Sequence, residues 1–277
     1  MPELPEVELI ARSLDRITKG RTIVAAELIR AKLAPDTKPA AFAKSLKNKK
    51  IKFVHRRGKH ILFDLNEDRT LIVHLRMSGR FSLLPPEREL PKFTHAIFNL
   101  DDESRLVFDD QRHFGLMKIV KTDQLSEAKE LRKLAPEPFS GEFSFEYFRS
   151  ALKSSKRSLK EFLVDQTKVT GLGNIYAAEA MFAAGVHPAV GAHKVSANRA
   201  WALYKSSKAV LQEAISYAEK LPVDPENLEG NYFSGSDGPT WNVYDREGEE
   251  CRKCDTPIRR LKQGGRSTYF CPKCQKR

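Results

Sequence analysis

Cys251-Arg-Lys-Cys254, then sixteen residues that include Gln263-Gly264-Gly265-Arg266-Ser267-Thr268-Tyr269, then Cys271-Pro-Lys-Cys274: this stretch holds all four cysteines of the 277-residue chain. Each C-x2-C turn aims two thiolates at one point, and two such turns close a tetrahedral site. The sixteen-residue gap falls in the zinc-ribbon spacing window. Two disulfides would suit a secreted domain instead. No charged-then-apolar segment opens the sequence, so an intracellular chain with a metal site is the expectation. With no fifth cysteine or nearby histidine to leave an open position, the one expected Zn2+ is structural rather than catalytic. The glycines at the hairpin tip let the backbone approach a partner closely, and Arg266 can grip a phosphate bidentately; a plain solvated turn is the alternative.

Outward from the cysteines, composition points to a polyanionic partner. Lys and Arg number 48 against 36 Asp and Glu, a net charge of +12. Such an excess favours nucleic acid, although it also fits a merely soluble protein. No apolar run approaches bilayer length, so no membrane role is expected. A chain this long can bury a sizeable core, and from length alone two domains are the natural expectation.

Organisation follows from periodicity. Val7, Leu9, Ile10, Leu14 and Ile17 form one helical stripe over 6–18. From Thr22 to Val120 the pattern becomes short β-type runs, such as His60-Ile-Leu-Phe-Asp-Leu and Arg105-Leu-Val-Phe-Asp, separated by turn signals at Arg57-Gly58, Pro85-Pro86 and Asp101-Asp102. They read as an antiparallel sandwich or barrel. Past Ala135-Pro136-Glu137-Pro138, helical patterns take over at 144–153, 158–166, 175–184 and 196–219. The fold class is therefore α+β and multidomain, with domains over 1–134, 141–245 and 246–277. Residues 222–242, rich in Gly, Pro, Ser, Asp and Asn, read as a long loop before the ribbon.

Several constellations could carry chemistry. A small residue after Met1 lets that Met be removed, so the expected first residue is Pro2, beside Glu3. Its secondary amine would titrate near pH 8, roughly, and attack an aldehyde-like carbon to give an iminium, an electron sink. In Gly171-Leu-Gly173-Asn174, the glycines clear the turn and Asn174 reads as the N-cap of the next helix. The exposed amides there make either a phosphate seat or simply a tightly packed helix-turn-helix. Lys59 sits on a turn between two strands, where a solvated charge is the ordinary outcome. Met77 follows a strand, a place where core filler is the common role. Arg112 and Phe114 lie on a turn; an Arg with an apolar wedge could fill the space a displaced base leaves, or the two could be surface and core.

Taken together these segments resemble the formamidopyrimidine-DNA glycosylase family. Pro2-Glu3-Leu4-Pro5-Glu6-Val7-Glu8 is similar to its amino-terminal signature. Gly171-Leu-Gly-Asn-Ile-Tyr-Ala with Ala184-Gly-Val-His-Pro188 resembles its helix–two-turn–helix, and Gly265-Arg-Ser-Thr-Tyr-Phe-Cys271 its zinc finger. The resemblance implies an N-terminal β-sandwich opening with a helix, a helical domain and a zinc-finger hairpin. It also implies excision of oxidised purines (8-oxoguanine, formamidopyrimidines) from damaged double-stranded DNA, with strand cleavage by β,δ-elimination, in a monomer of the bacterial cytoplasm. By the same resemblance Pro2 is the nucleophile, Glu3 the neighbouring acid/base and Lys59 an aid to cleavage and elimination. Arg266 holds the phosphate and is linked to the δ step, and shares that phosphate with Asn174. Met77, Arg112 and Phe114 fill the gap left by the flipped base, His95 and Lys156 touch DNA, and Glu6 faces the flipped nucleotide.

The chain departs from the family pattern at three places. His113 stands where Arg or Lys is common, Ser78 where some relatives carry a carboxylate, and Pro222-Val-Asp-Pro225 where a Gly-Gly-Thr/Ser-Thr stretch leads into the base-reading loop. Two other readings remain open here: an oxidised-pyrimidine glycosylase of the sister group, and a lesion-binding protein without catalysis. Retention of Pro2, Glu3, Lys59 and Arg266 together speaks against the second.

Overall fold

The computed structural model describes residues 2–220, 224–225, 228 and 240–277. The chain divides into two compact units, Met1–Arg132 with Ala218–Gly235, and Lys133–Tyr217 with Ser236–Arg277.

In the first unit, helix α1 (Leu4–Thr18) leads into eight strands: β1 (Thr22–Leu28), β2 (Lys49–Arg57), β3 (His60–Leu65), β4 (Arg69–His74), β5 (Gly79–Leu84), β6 (Thr94–Leu100), β7 (Arg105–Asp110) and β8 (Leu116–Lys121). Every pairing is antiparallel, and the order is β5-β7-β6-β1-β2-β3-β4-β8. Phe63 on β3 and Phe81 on β5 are far apart in that order, yet their rings lie 5.6 Å apart, and Phe108 on β7 meets Phe81 at 5.2 Å. The sheet is thus closed face to face on an aromatic core, the expected sandwich. Helix α1 buries Val7, Ile10, Ala11 and Leu14 in the same core, the stripe the sequence shows.

Two elements of this unit escaped the periodicity. Helix α2 (Pro39–Leu46) has only two turns, held by Phe42 and Leu46 at i and i+4, with Phe42 against Phe98 at 6.3 Å. Strand β5 begins with a glycine and lacks a clean alternation, since it is buried on most positions. Its far edge is paired: Phe81 and Leu228 exchange backbone hydrogen bonds, and the Leu83 amide donates to Pro225. Within the segment expected as a long loop, 225 and 228 are thus held against an otherwise open strand edge, which takes up their backbone groups; most of 222–242 lies outside the described residues.

In the second unit, α3 (Phe145–Lys153) is capped by Ser144, whose hydroxyl accepts from the Tyr147 amide at 3.2 Å. Helix α4 (Leu159–Val164) starts with a capping box between Ser158 and Glu161. Helices α5 (Asn174–Ala183) and α6 (Ala197–Ala218) follow, then the hairpin β9 (Arg259–Gln263) and β10 (Arg266–Phe270). Gly264 and Gly265, with φ of 52° and 75°, form its two-residue turn, the left-handed pair that a twisted hairpin favours. Ala178 and Phe182 of α5 share a core with Val243, Cys251, Ile258, Tyr269 and Cys271, so the hairpin and α5 form one body. Among the described residues no helix is long and apolar enough to cross a membrane.

Candidate functional site

The start of α1 is fixed by its own side chains. The Glu6 carboxylate accepts from the Glu3 amide at 2.7 Å, and the Glu3 carboxylate accepts from the Glu6 amide, a reciprocal capping box. Both carboxylates are 3% exposed and lie at the positive end of the helix, which favours negative charge. Pro2 is buried beside them. The direction of α1 follows from two contacts with β2: Asp15 accepts the Val54 amide at 2.7 Å, and Glu8 meets the Arg56 guanidinium at 2.5 Å. Moving from residue 15 to 8 along the helix is about 10 Å, and from 54 to 56 along the strand about 7 Å. The same progression carries the helix start toward the Gly58-Lys59 turn. That turn has two residues between Arg57 and His60, and Gly58 takes φ 59°, as the first position of a type II′ hairpin requires. Lys59 is 4% exposed and so is not the solvated charge its turn position suggests. Next to it, burial first, then Arg76 and Arg57, push the His60 imidazole down to about 4. The His74 ring meets it edge-on at 4.6 Å and is held well below its usual range, chiefly by burial.

Met77, Arg112 and Phe114 come from two loops that leave paired strand ends, since Gly79 on β5 faces Asp110 on β7. Met77 is 42% and Phe114 55% exposed, so neither is core, and the Arg112 guanidinium stands 5.4 Å above the Phe114 ring. Gly79 and Gly115 have no room for a side chain: a Cβ at either would come within 2.8 Å of Phe108. His95 on β6 is 4% exposed, and its ring stacks on His113 with a 2.9 Å Nε2···Nδ1 hydrogen bond. Burial, then the His113 neighbour, keep His95 below its ordinary range. His113 itself adopts φ 62°.

In the second unit, Gln166 clamps the turn between α4 and α5. Its Oε1 accepts the Gly171 amide at 2.9 Å and its Nε2 donates to the Leu172 carbonyl at 2.8 Å, while Gly171 takes φ 93°. Asn174 is not the helix N-cap expected from sequence. Gly173 occupies that position, and Asn174, the first helical residue, sends Nδ2 3.0 Å to the Ser267 carbonyl on β10. A glycine at the cap leaves the asparagine free to bridge to the hairpin, which fixes it beside Arg266. Its Oδ1 is buried with no hydrogen-bond partner among the described residues. Lys160, 2% exposed, donates Nζ to the Asn174 carbonyl at 2.7 Å. Arg266 and Lys156 are exposed. Arg157, Lys160, Gln166, Gln263 and Arg266 line a groove of about 630 Å³ between α4 and the hairpin tip.

The four cysteine sulfurs all lie within 4.8 Å of one another, with Cys254 at 3.5 Å from Cys271 and 3.4 Å from Cys274, and Cys251 at 3.9 Å from Cys274. Sulfurs about 2.3 Å from a tetrahedral zinc stand roughly 3.8 Å apart, so the set fits one structural Zn2+. Packed this closely the thiols oppose each other's ionisation. Burial, then its sister thiols, push Cys274 up to about 12, while Thr256 holds Cys254 down to about 6. A divalent cation among them removes that conflict.

Three family models match in chain order: the formamidopyrimidine-DNA glycosylase N-terminal domain over residues 1–117, its H2TH domain over 134–221, and a zinc finger found in FPG and IleRS over 248–277. The formamidopyrimidine-DNA glycosylase of Bacillus licheniformis is 40% identical over 278 residues, covering all of both chains. The chain belongs to the formamidopyrimidine-DNA glycosylase family. The namesake protein of Heliobacterium modesticaldum is 42% identical over 282 residues, again covering both chains fully. Among solved structures, Lactococcus lactis Fpg in complex with abasic-site DNA superposes with a TM-score of 0.89 at 32% identity, covering 99% of this chain and 100% of that one. The same protein with an N7-benzyl-Fapy-dG DNA gives 0.90 at 32%, with full coverage of both.

Within this family frame, sequence reading passed over two buried polar side chains: Lys160 and Glu179. Glu179 on α5 is 4% exposed and accepts four hydrogen bonds, from the Asn242 amide and side chain and the Val243 and Tyr244 amides, at 2.9–3.0 Å. The available signal was a carboxylate amid alanines on an otherwise apolar helix, Ala177-Ala-Glu-Ala-Met. A charge there must be fully partnered to be buried.

Proposed function

We propose that this chain is a base-excision-repair DNA glycosylase with AP-lyase activity that removes oxidised purines from duplex DNA. The carrying observation is the α1 start: a buried Pro2, whose nitrogen becomes a secondary amine once Met1 is removed, next to two buried carboxylates in a reciprocal cap, on a helix aimed at the buried Lys59 turn. With Met1 removed, the Pro2 nitrogen attacks C1′ of the damaged nucleotide and the N-glycosidic bond breaks, its electrons leaving with the base. Glu3 moves the protons of this step, and Lys59 assists cleavage and elimination. The Pro2 nitrogen then loses its proton and its lone pair expels O4′, which takes up a proton as the sugar ring opens, giving an iminium at C1′. The iminium acidifies the C2′ proton, whose loss breaks the C3′–O bond and releases the 3′-side phosphate, and a second elimination releases the 5′-side one. Met77, Arg112 and Phe114 occupy the space of the flipped base, with His95 and Lys156 as further DNA contacts and Glu6 toward the nucleotide. Arg266 with Asn174 holds a phosphate. No step requires the zinc, which keeps the hairpin folded. The division into 1–134, 141–245 and 246–277 and a monomeric, cytoplasmic enzyme belong to the same reading.

A second reading keeps the chemistry and changes the base. Lactococcus lactis Fpg has been solved with an oxidised-pyrimidine DNA, and Pro222-Val-Asp-Pro225 departs from the family's base-reading segment. Borohydride trapping of the untagged protein on duplexes bearing 8-oxoguanine opposite cytosine, thymine glycol, or an abasic site separates the readings. Adducts on 8-oxoguanine and the abasic site alone support purines. An adduct with thymine glycol in place of 8-oxoguanine supports pyrimidines. Tight binding with no adduct on any duplex overturns the enzyme and leaves a binding protein; an adduct that survives a blocked N-terminus refutes Pro2.

A further inference from the structure

The Met77 loop and the Arg112–Phe114 loop are joined by one buried carboxylate. Asp110 has no exposed surface. Its Oδ1 accepts the Ser78 hydroxyl at 2.5 Å and the Arg112 amide at 3.1 Å, and its Oδ2 accepts the Phe114 and Gly115 amides, both at 2.7 Å. Ser78 works in both directions, since its Oγ also accepts the Arg112 amide at 3.0 Å. Burial alone would push the Asp110 carboxyl up. The Ser78 hydroxyl and the Gly115, Arg112 and Phe114 amides outweigh it and hold the group below its usual range, so the hub is an anion. Ser78 is thus the side-chain link across the two loops, and it adjoins Met77.

We propose that Ser78 and Asp110 are positioning residues that lock Met77 and the Arg112–Phe114 pair into one wedge before DNA arrives. The proposal deepens the reading of those three side chains as fillers of the vacated base space. A wedge assembled in advance loses little conformational freedom when it enters the stack, whereas two independent loops must be ordered at that moment. The backbone is built for rigidity here. Gly115 is pressed against Phe108 with no space for a Cβ, and the outer flank of the loop is tied by the His113–His95 ring pair. His113 thus adds a side-chain tether from this loop to His95 on β6.

The test compares two substrates. One is single-turnover excision of 8-oxoguanine from duplex DNA, which requires the wedge. The other is borohydride trapping on a single-stranded abasic oligonucleotide, which offers no partner base to displace. Ser78→Ala is expected to slow duplex excision about tenfold, the loss of one charge-assisted hydrogen bond. Single-stranded trapping should stay near wild type even though Tm falls modestly with the lost bond, and Ser78→Thr, which keeps the hydroxyl, should restore the duplex rate. Equal slowing on both substrates, or an unchanged duplex rate in Ser78→Ala while Phe114→Ala is slow, overturns the proposal. If Phe114→Ala also excises at the wild-type rate, the wedge reading itself fails, and the proposal with it. Asp110→Asn, which turns an amide toward the Phe114 and Gly115 donors, should be slower than Ser78→Ala; should it not fold, the Ser78 pair decides alone.

Discussion

Acid should loosen the β3–β4 ladder, and His60 should account for much of the effect. In the folded chain its imidazole is held at about 4, against 6.5 for the free side chain. The unfolded chain therefore takes up the proton first as pH falls. The stabilising contribution of neutral His60 is complete above pH 6.5 and is lost between 6.5 and about 4. A difference of two and a half pH units corresponds to about 3 kcal/mol in full, of which about 2 kcal/mol is lost by pH 5. His74, also depressed, acts with the same sign, so the wild-type loss is larger still. His60→Gln cannot titrate, and between pH 7.5 and 5 it should lose about 2 kcal/mol less than wild type. Fluorescence is the wrong probe, because both tryptophans, Trp201 and Trp241, lie in the other unit. Hydrogen exchange of peptides covering β3 and β4, corrected for the intrinsic pH dependence, reads the opening free energy directly. Equal losses in wild type and His60→Gln would show that burial of this imidazole is not linked to acid stability.

Two further outcomes follow from the second unit. A chelator strong enough to take zinc should release one ion per chain and abolish amide protection in β9 and β10 while α1 keeps its own, because structural zinc supplies on the order of 10 kcal/mol to a small finger; retained protection in the metal-free protein would mean the hairpin is held by α5 packing alone. Glu179→Gln presents an amide to donors that now share a carboxylate, and should destabilise this unit by roughly 3 kcal/mol, seen as a lower unfolding midpoint by Trp241 fluorescence. A shift below about 0.5 kcal/mol would show that the four bonds are replaced by water.

Local chemistry made much of this protein legible in its sequence. Two C-x2-C turns sixteen residues apart can close on one ion whatever surrounds them, so Cys251, Cys254, Cys271 and Cys274 declare a zinc site without a fold. The α1 stripe and the alternating strands report which face each element buries, because those periods are set by the backbone. Helix α2 and β5 were hidden for the converse reason: one is too short to show a period, the other too buried to alternate.

What depended on tertiary structure is partnership. Nothing near Lys59 in sequence says that its turn is buried, and nothing near Asn174 says that its amide is spent on Ser267 while Gly173 caps the helix. Ser78 read as a departure from a family pattern; the fold makes it the bridge between Asp110 and Arg112, 32 and 34 residues away. Sequence by itself determined the zinc site and the succession from an opening helix through strands to helices, and it named candidate side chains, since these rest on spacing and residue chemistry. The structure alone decided which of those side chains are buried, paired and fixed in direction, because burial and hydrogen-bond geometry are set by residues distant in the chain.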